Sequence, residues 1–185
     1  MNFDICALFL LLGICTVVTG TYDSDEDCED ESDIEPEKPH IGSGSFDRKS
    51  KRFALIRNQV SGLVLDARKG HVVVEHFSTS PSQLWKVEDA GSGTFYIINK
   101  ATGNALYLDY QNDRKRNYLI TIPKYSLNEN NKWSAQWYVN SDDTIVTSRK
   151  ELAITIHSED FSPGDKVIGF PKHGRHNQLF GFQYK

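Results

Sequence analysis

The chain repeats itself. SQLWKV (82–87), SAQWYV (134–139) and NQLFGF (177–182) align on Trp85, Trp137 and Phe180, which stand 52 and 43 residues apart. Ahead of them, FALIRNQVSGLVLDAR (53–68), FYIINKATGNALYLDY (95–110) and TIVTSRKELAITIHS (144–158) each read as an apolar strand, a polar turn and a second apolar strand. HVVVEHF, YLITIPK and DKVIGFPK supply a third strand to each unit. The runs are short and rich in Val, Ile, Leu, Tyr and Phe. None after residue 52 keeps a helical period, so the pattern predicts strands and turns. A unit of this kind exposes an apolar face that it cannot cover alone, so the three must bury their faces together. Asp66 and Asp109, 43 residues apart, fall at matching places after the second strand, and Thr155 takes that place in the third unit.

These residues resemble the ricin B-type lectin-like β-trefoils, whose mark is a Gln-x-Trp near the end of each of three repeats. Gln83-Leu84-Trp85 is intact. Ala135-Gln136-Trp137 has its glutamine displaced by one, and Gln178-Leu179-Phe180 has Phe for Trp, so the second and third repeats are degenerate. The resemblance covers residues 53–185 and implies an all-β fold, a β-trefoil of three four-stranded repeats at about 53–90, 94–140 and 144–185. Such repeats close into a barrel capped by hairpins, which limits open edges. The three aromatics are then expected in the core. The glutamine amide, both donor and acceptor, is expected to clamp nearby backbone.

The resemblance also implies a kit for a sugar. An Asp after the second strand takes hydroxyls, an aromatic after the third strand stacks on the sugar's C–H face, and an Asn before the Gln completes the hydrogen bonds. Repeat one offers Asp66 and Gln83, with Ser82 in the Asn place and Glu75-His76-Phe77 in the aromatic region. Repeat two offers Asp109 and Tyr125, with Ser134 or Ala135 in the Asn place. Repeat three offers Asn177, Gln178 and Phe170, but Thr155 for the Asp. No repeat holds the whole kit. The carbohydrate-binding candidates are Asp66, Gln83, Asp109, Asn177 and Gln178, with repeats one and two favoured for their carboxylates. Asp66 and Asp109 also read as plain turn residues ending a strand.

Before the repeats the texture differs. MNFDICALFLLLGICTVVTG has an apolar run from Ile5 to Val18. That is too short to span a bilayer, which takes about 20 residues, and it fits a signal peptide over 1–20 with small residues near a cut after Gly20. No later stretch is apolar for long enough to span a membrane. Residues 21–52 carry five basic and eleven acidic side chains, whereas 53–185 carry sixteen basic and thirteen acidic. The acidic leader is too polar to offset its ordering entropy by burial and is expected to be disordered. Its basic end, Arg48-Lys49-Ser50-Lys51-Arg52, resembles a proprotein-convertase site at Lys51 and Arg52, which would make 21–52 a propeptide. The alternative is a linker whose basic end folds onto its acidic half. Tyr22, Ser24 and Ser32 sit among acids, as sulfated or phosphorylated residues do. Cys28 is the one cysteine beyond residue 20, and it either pairs with another chain or stays a free thiol.

The histidines of the repeats, His71, His76, His157, His173 and His176, fall at no metal or nucleophile spacing, so neither a cofactor nor a catalytic centre is expected. KHGRH (172–176) and Arg114-Lys115-Arg116 read either as a patch for sulfated glycans, another anion or the acidic leader, or as solvated loop charge. The net charge of the repeats does not favour nucleic acid. The expectation is a secreted, extracellular, non-enzymatic lectin-like protein that binds glycans or glycoproteins through shallow pockets in repeats one and two. The rival is a secreted β-trefoil that binds a protein, such as a cell-surface protein, as growth factors, cytokines and protease inhibitors of that fold do.

Overall fold

The computed structural model describes residues 46–185 apart from 50, 111–116, 150 and 159. The expected signal peptide, most of the acidic leader with Tyr22, Ser24, Cys28 and Ser32, and Arg114-Lys115-Arg116 lie outside the described residues. Repeat one contains β1 (Ala54–Asn58), β2 (Val64–Arg68), β3 (His71–Glu75) and β4 (Trp85–Gly91). Repeat two contains β5 (Thr94–Asn99), β6 (Ala105–Asp109), β7 (Asn117–Ile122) and β8 (Trp137–Val139). Repeat three contains β9 (Ile145–Thr147), β10 (Leu152–Ile156), β11 (Val167–Pro171) and β12 (Phe180–Tyr184).

The first and fourth strands of the units make a barrel. β1 pairs with β12 over its whole length, from Ala54 opposite Tyr184 to Asn58 opposite Phe180. β1 meets β4, β4 pairs with β5, β5 meets β8 and β8 pairs with β9. The Phe180 amide donates to the Asp143 carbonyl, 2.8 Å away, and so ties β12 back beside β9. The hairpins β2–β3, β6–β7 and β10–β11 form the cap. They touch one another where His71 faces Ile120, Ile168 faces Tyr118 and Val73 bridges to Lys166. Closure of both layers leaves few backbone edges to recruit other strands. Gly169 on β11 lies so close to β6 that an added Cβ would sit 2.6 Å from a Leu108 methyl carbon.

Trp85, Trp137 and Phe180 are equivalent core pieces, at most 2% exposed, packed with Ile56, Leu65, Ile97, Leu106, Ile145 and Ile154. A buried indole N–H needs an acceptor. Trp85 Nε1 donates to the Leu65 carbonyl at 3.0 Å, and Trp137 Nε1 to the Leu106 carbonyl at 3.2 Å. Phe180 has no such donor to satisfy.

The packed domain begins before Phe53. The Phe46 ring packs on Phe95 and Phe182, with centroids 5.1 and 5.0 Å apart. The Tyr184 hydroxyl accepts from the Asp47 amide and donates to the Asp47 carbonyl. Burial pushes the Tyr184 hydroxyl pKa up from its ordinary value. The described end of the leader, expected to be disordered, is therefore held on the barrel, because Phe46 brings an apolar ring that its acidic neighbours lack.

Candidate sugar site

Backbone and side-chain contacts fix which residues are equivalent. The Asn58 amide bonds the Leu63 carbonyl, as the Asn99 amide bonds the Asn104 carbonyl. Leu65 and Leu106 each accept a tryptophan indole. One residue onward stand Asp66 and Tyr107. Gln83 Nε2 donates to Asp66 Oδ2 at 3.1 Å, and Gln178 Nε2 donates to Thr155 Oγ1 at 2.9 Å. Asp66, Tyr107 and Thr155 thus share one place, and Gln83, Ala135 and Gln178 share another. The expected match of Asp109 to Asp66 is corrected. Asp109 lies two residues further along, at the place of Arg68, where it faces Tyr118 across the hairpin.

Repeat one brings Asp66 and Gln83 together as expected, but as a closed unit. Gln83 is 1% exposed. Its amide nitrogen donates to Asp66 and the His76 carbonyl, and its oxygen accepts from the Ser78 amide. Asp66 is 2% exposed, and its Oδ2 also accepts from Arg68 Nε at 3.2 Å. Arg68 reaches on to Glu75 at 3.4 Å. Asp66 Oδ1 is buried without a partner. Val73, not an aromatic, stands opposite Asp66 across the hairpin. Phe77 is exposed, with the Lys185 ammonium 4.7 Å from its ring centre.

Repeat two has exchanged both polar partners. Tyr107 packs against Ile98, Ala105 and Ala135 where repeat one has a carboxylate and an amide. Gln136, displaced in the sequence, turns instead to the Ala90 carbonyl. Tyr125, the expected aromatic, is 91% exposed on the turn after β7.

Repeat three holds an open cavity of about 360 Å³ lined by Phe161, Gly174, Arg175, His176 and Asn177. Gln178, buried next to Asn177, holds the loop that lines it. That side chain donates to Thr155 and the Pro171 carbonyl, while its oxygen accepts from the His173 and Gly174 amides. The basic loop is thereby bent over the site, with Gly174 at φ 68°. Lys172 is tied to Asp142 at 2.6 Å, across to the barrel. Burial pushes the Asp142 carboxyl up, but Lys172 and Thr144 outweigh it and hold the pKa below its ordinary value. Asn177 is 8% exposed. Its amide nitrogen donates to the Ile156 carbonyl at 3.2 Å, and its Oδ1 is buried with no donor. Phe161 sits beside it at φ 52°, a conformation that bulky side chains rarely adopt. Phe170, the aromatic that the sequence suggests, points elsewhere and meets His173 edge-on at 5.8 Å. Sequence reasoning missed Phe161 and the part played by Arg175 and His176. Only the "KHGRH" run hinted at the latter two.

Lys51 and Arg52 are exposed, and the Arg52 guanidinium lies 5.4 Å from the Tyr184 ring centre. Among the described residues no group of three or more His, Cys, Asp or Glu converges as metal ligands do.

Residues 45–122 match the family described as ricin-type beta-trefoil lectin domain-like. Solved structures share the fold at low identity. The C-half of an earthworm R-type lectin in complex with GalNAc is 22% identical, covers 72% of this chain and 99% of its own, and superposes with a TM-score of 0.58. The Macrolepiota procera ricin B-like lectin in complex with lactose is 13% identical over 76% of this chain and 100% of its own, with a TM-score of 0.63. An exo-beta-1,3-galactanase from Clostridium thermocellum matches over 74% of this chain and only 31% of its own, at 20% identity and a TM-score of 0.63. No curated protein matches the chain. The domain has the β-trefoil fold, and its residues 45–122 match the ricin-type beta-trefoil lectin domain-like family.

Proposed function

We propose that the chain is a secreted, non-enzymatic carbohydrate-binding protein that holds its glycan in the cavity of repeat three. The observation that carries this reading is Asn177, whose buried Oδ1 lacks a donor in the wall of a cavity flanked by an aromatic ring. A sugar hydroxyl is a donor of the right size, and the sugar's C–H face suits Phe161. Reaching Oδ1 takes a small turn of the Asn177 amide or a shift of the Phe161 loop. A single ring and a few hydrogen bonds support affinity near about 1 mM. The relatives solved with GalNAc and lactose favour glycans as the ligand class. Repeats one and two are weaker candidates, because Asp66 is engaged by Gln83 and Arg68, and Tyr107 stands where repeat two would need its carboxylate.

A glycan array probed with the secreted chain tests this. Binding is expected, and Asn177→Ala and Phe161→Ala should each remove it while Asp66→Ala does not. Silence across the array at millimolar glycan would end the lectin reading. The exposure of Lys51 and Arg52 supports the second reading, a protein ligand released by cleavage. Amino-terminal sequencing of the secreted form tests it, and a start near Thr21 in every molecule would exclude it.

A further inference from the structure

We infer that the glycan taken by the repeat-three cavity is acidic, with a sulfate or carboxylate held by Arg175. This rests on the lectin reading above. The place that holds a carboxylate in repeat one, Asp66, is the neutral Thr155 here. The five lining residues include no acid and two basic side chains, Arg175 and His176. Repeat three thus carries a neutral residue at that place and two basic side chains in the lining of its cavity.

Arg175 is also uncommitted. Several other basic side chains are paired: Arg68 with Asp66 and Glu75, Lys124 and Lys86 with Glu88, and Lys172 with Asp142. Among the described residues Arg175 has no carboxylate within ion-pair distance. Asp142, an acid of the neighbouring barrel, is engaged by Lys172. The Arg175 backbone is fixed, since its amide donates to His173 Nδ1 at 3.1 Å and its carbonyl accepts from the Gln178 amide at 2.8 Å. A planar guanidinium on a fixed backbone suits two parallel bonds to an oxyanion. Asn177, the unpartnered acceptor in the same wall, would take a hydroxyl of the sugar that bears the charge. The two contacts specify an oxyanion and a hydroxyl on one residue of the glycan.

The test is calorimetric titration of the secreted chain with lactose, sulfated lactose and sialylated lactose. One acidic form is expected to bind at least about tenfold tighter than lactose, the scale of a charge-assisted pair at a partly exposed site. Sulfate and carboxylate are told apart by which form wins. Arg175→Gln should abolish the preference and Arg175→Lys should keep part of it, with circular dichroism unchanged in both. Lys132→Gln, a surface control away from the cavity, should leave it intact. Equal binding of neutral and acidic forms, or a preference that survives Arg175→Gln, would overturn the inference and leave the lectin reading standing. A preference lost equally in the Lys132 control would also overturn it, in favour of diffuse charge. No binding of any of the three, combined with a silent array, would remove the lectin reading itself.

Discussion

Gln83→Ala should be among the most damaging single changes in the domain, although Gln83 touches none of the three core aromatics through a hydrogen bond. Its side chain makes three hydrogen bonds, to Asp66, the His76 carbonyl and the Ser78 amide. A buried hydrogen bond contributes about 1 kcal/mol net, and a polar group left stranded costs about 1–3 kcal/mol. His76 and Ser78 are exposed and can turn to water. Asp66 cannot, since it is 2% exposed, one oxygen already lacks a donor, and the other would keep only its bond from Arg68. The expected loss is about 3 kcal/mol, most of it through Asp66. Repeat two shows that removing both partners is tolerable, with Tyr107 and Ala135 packed in their places. In a double-mutant cycle, Asp66→Ala with Gln83→Ala should therefore cost less than the sum of the singles by about 1 kcal/mol or more. Urea unfolding followed by tryptophan fluorescence measures this, with an unchanged m-value as the check on two-state behaviour. Strictly additive singles would refute the reasoning, because they would mean that Asp66 does not depend on Gln83.

Other changes probe the rest of the fold. Phe46→Ala should lower stability by about 1–3 kcal/mol, since it removes two aromatic contacts, and cleavage after Arg52 should do the same; equal urea midpoints for cut and intact chains would show that Phe46 is a passenger. Gly169→Ala should cost about 1–3 kcal/mol by overpacking against Leu108, read by the same midpoint. The hydrogen bond from Lys124, set against burial and helped by Lys86, holds the Glu88 carboxyl below its ordinary value. Its pKa is lower folded than unfolded, so this stability is present above the ordinary glutamate value of about 4.3 and fades as pH falls below it. Lys124→Met should flatten the acid limb of the stability profile there, and an unaltered limb would discount the pair.

The fold was legible because strand alternation and the spacing of Trp85, Trp137 and Phe180 survive sequence decay. Burial keeps an aromatic at each of those places. The clamp role of Gln83 was legible too, from its amide and its place before Trp85. Asp109 misled for a physical reason. A strand repeats every two residues, so Asp109 falls on the same face as Tyr107 and mimics a match. Only the Asn58 and Asn99 turns and the indole bonds fix the register. Phe161 lay hidden because it comes from the long connection between β10 and β11. The matching connection between β2 and β3 is only Lys69-Gly70, so repeat one has nothing to align with it. The packing of Phe46 was hidden by its setting, since an acidic composition says little about one apolar ring.

The pairing of β1 with β12 has a consequence for how the chain acquires its structure. β1 meets β2 and β4 at one residue pair each, and only β12 satisfies it along its length. During synthesis the first strand must therefore wait, with its edge bare, until the last strand of the domain has been made. Contacts so distant in sequence fold slowly and leave apolar surface open to aggregation meanwhile. The three hairpins can form early and locally, but the barrel cannot close from the front. A break in β12 would thus strand β1 in the first repeat as surely as it would unravel the third.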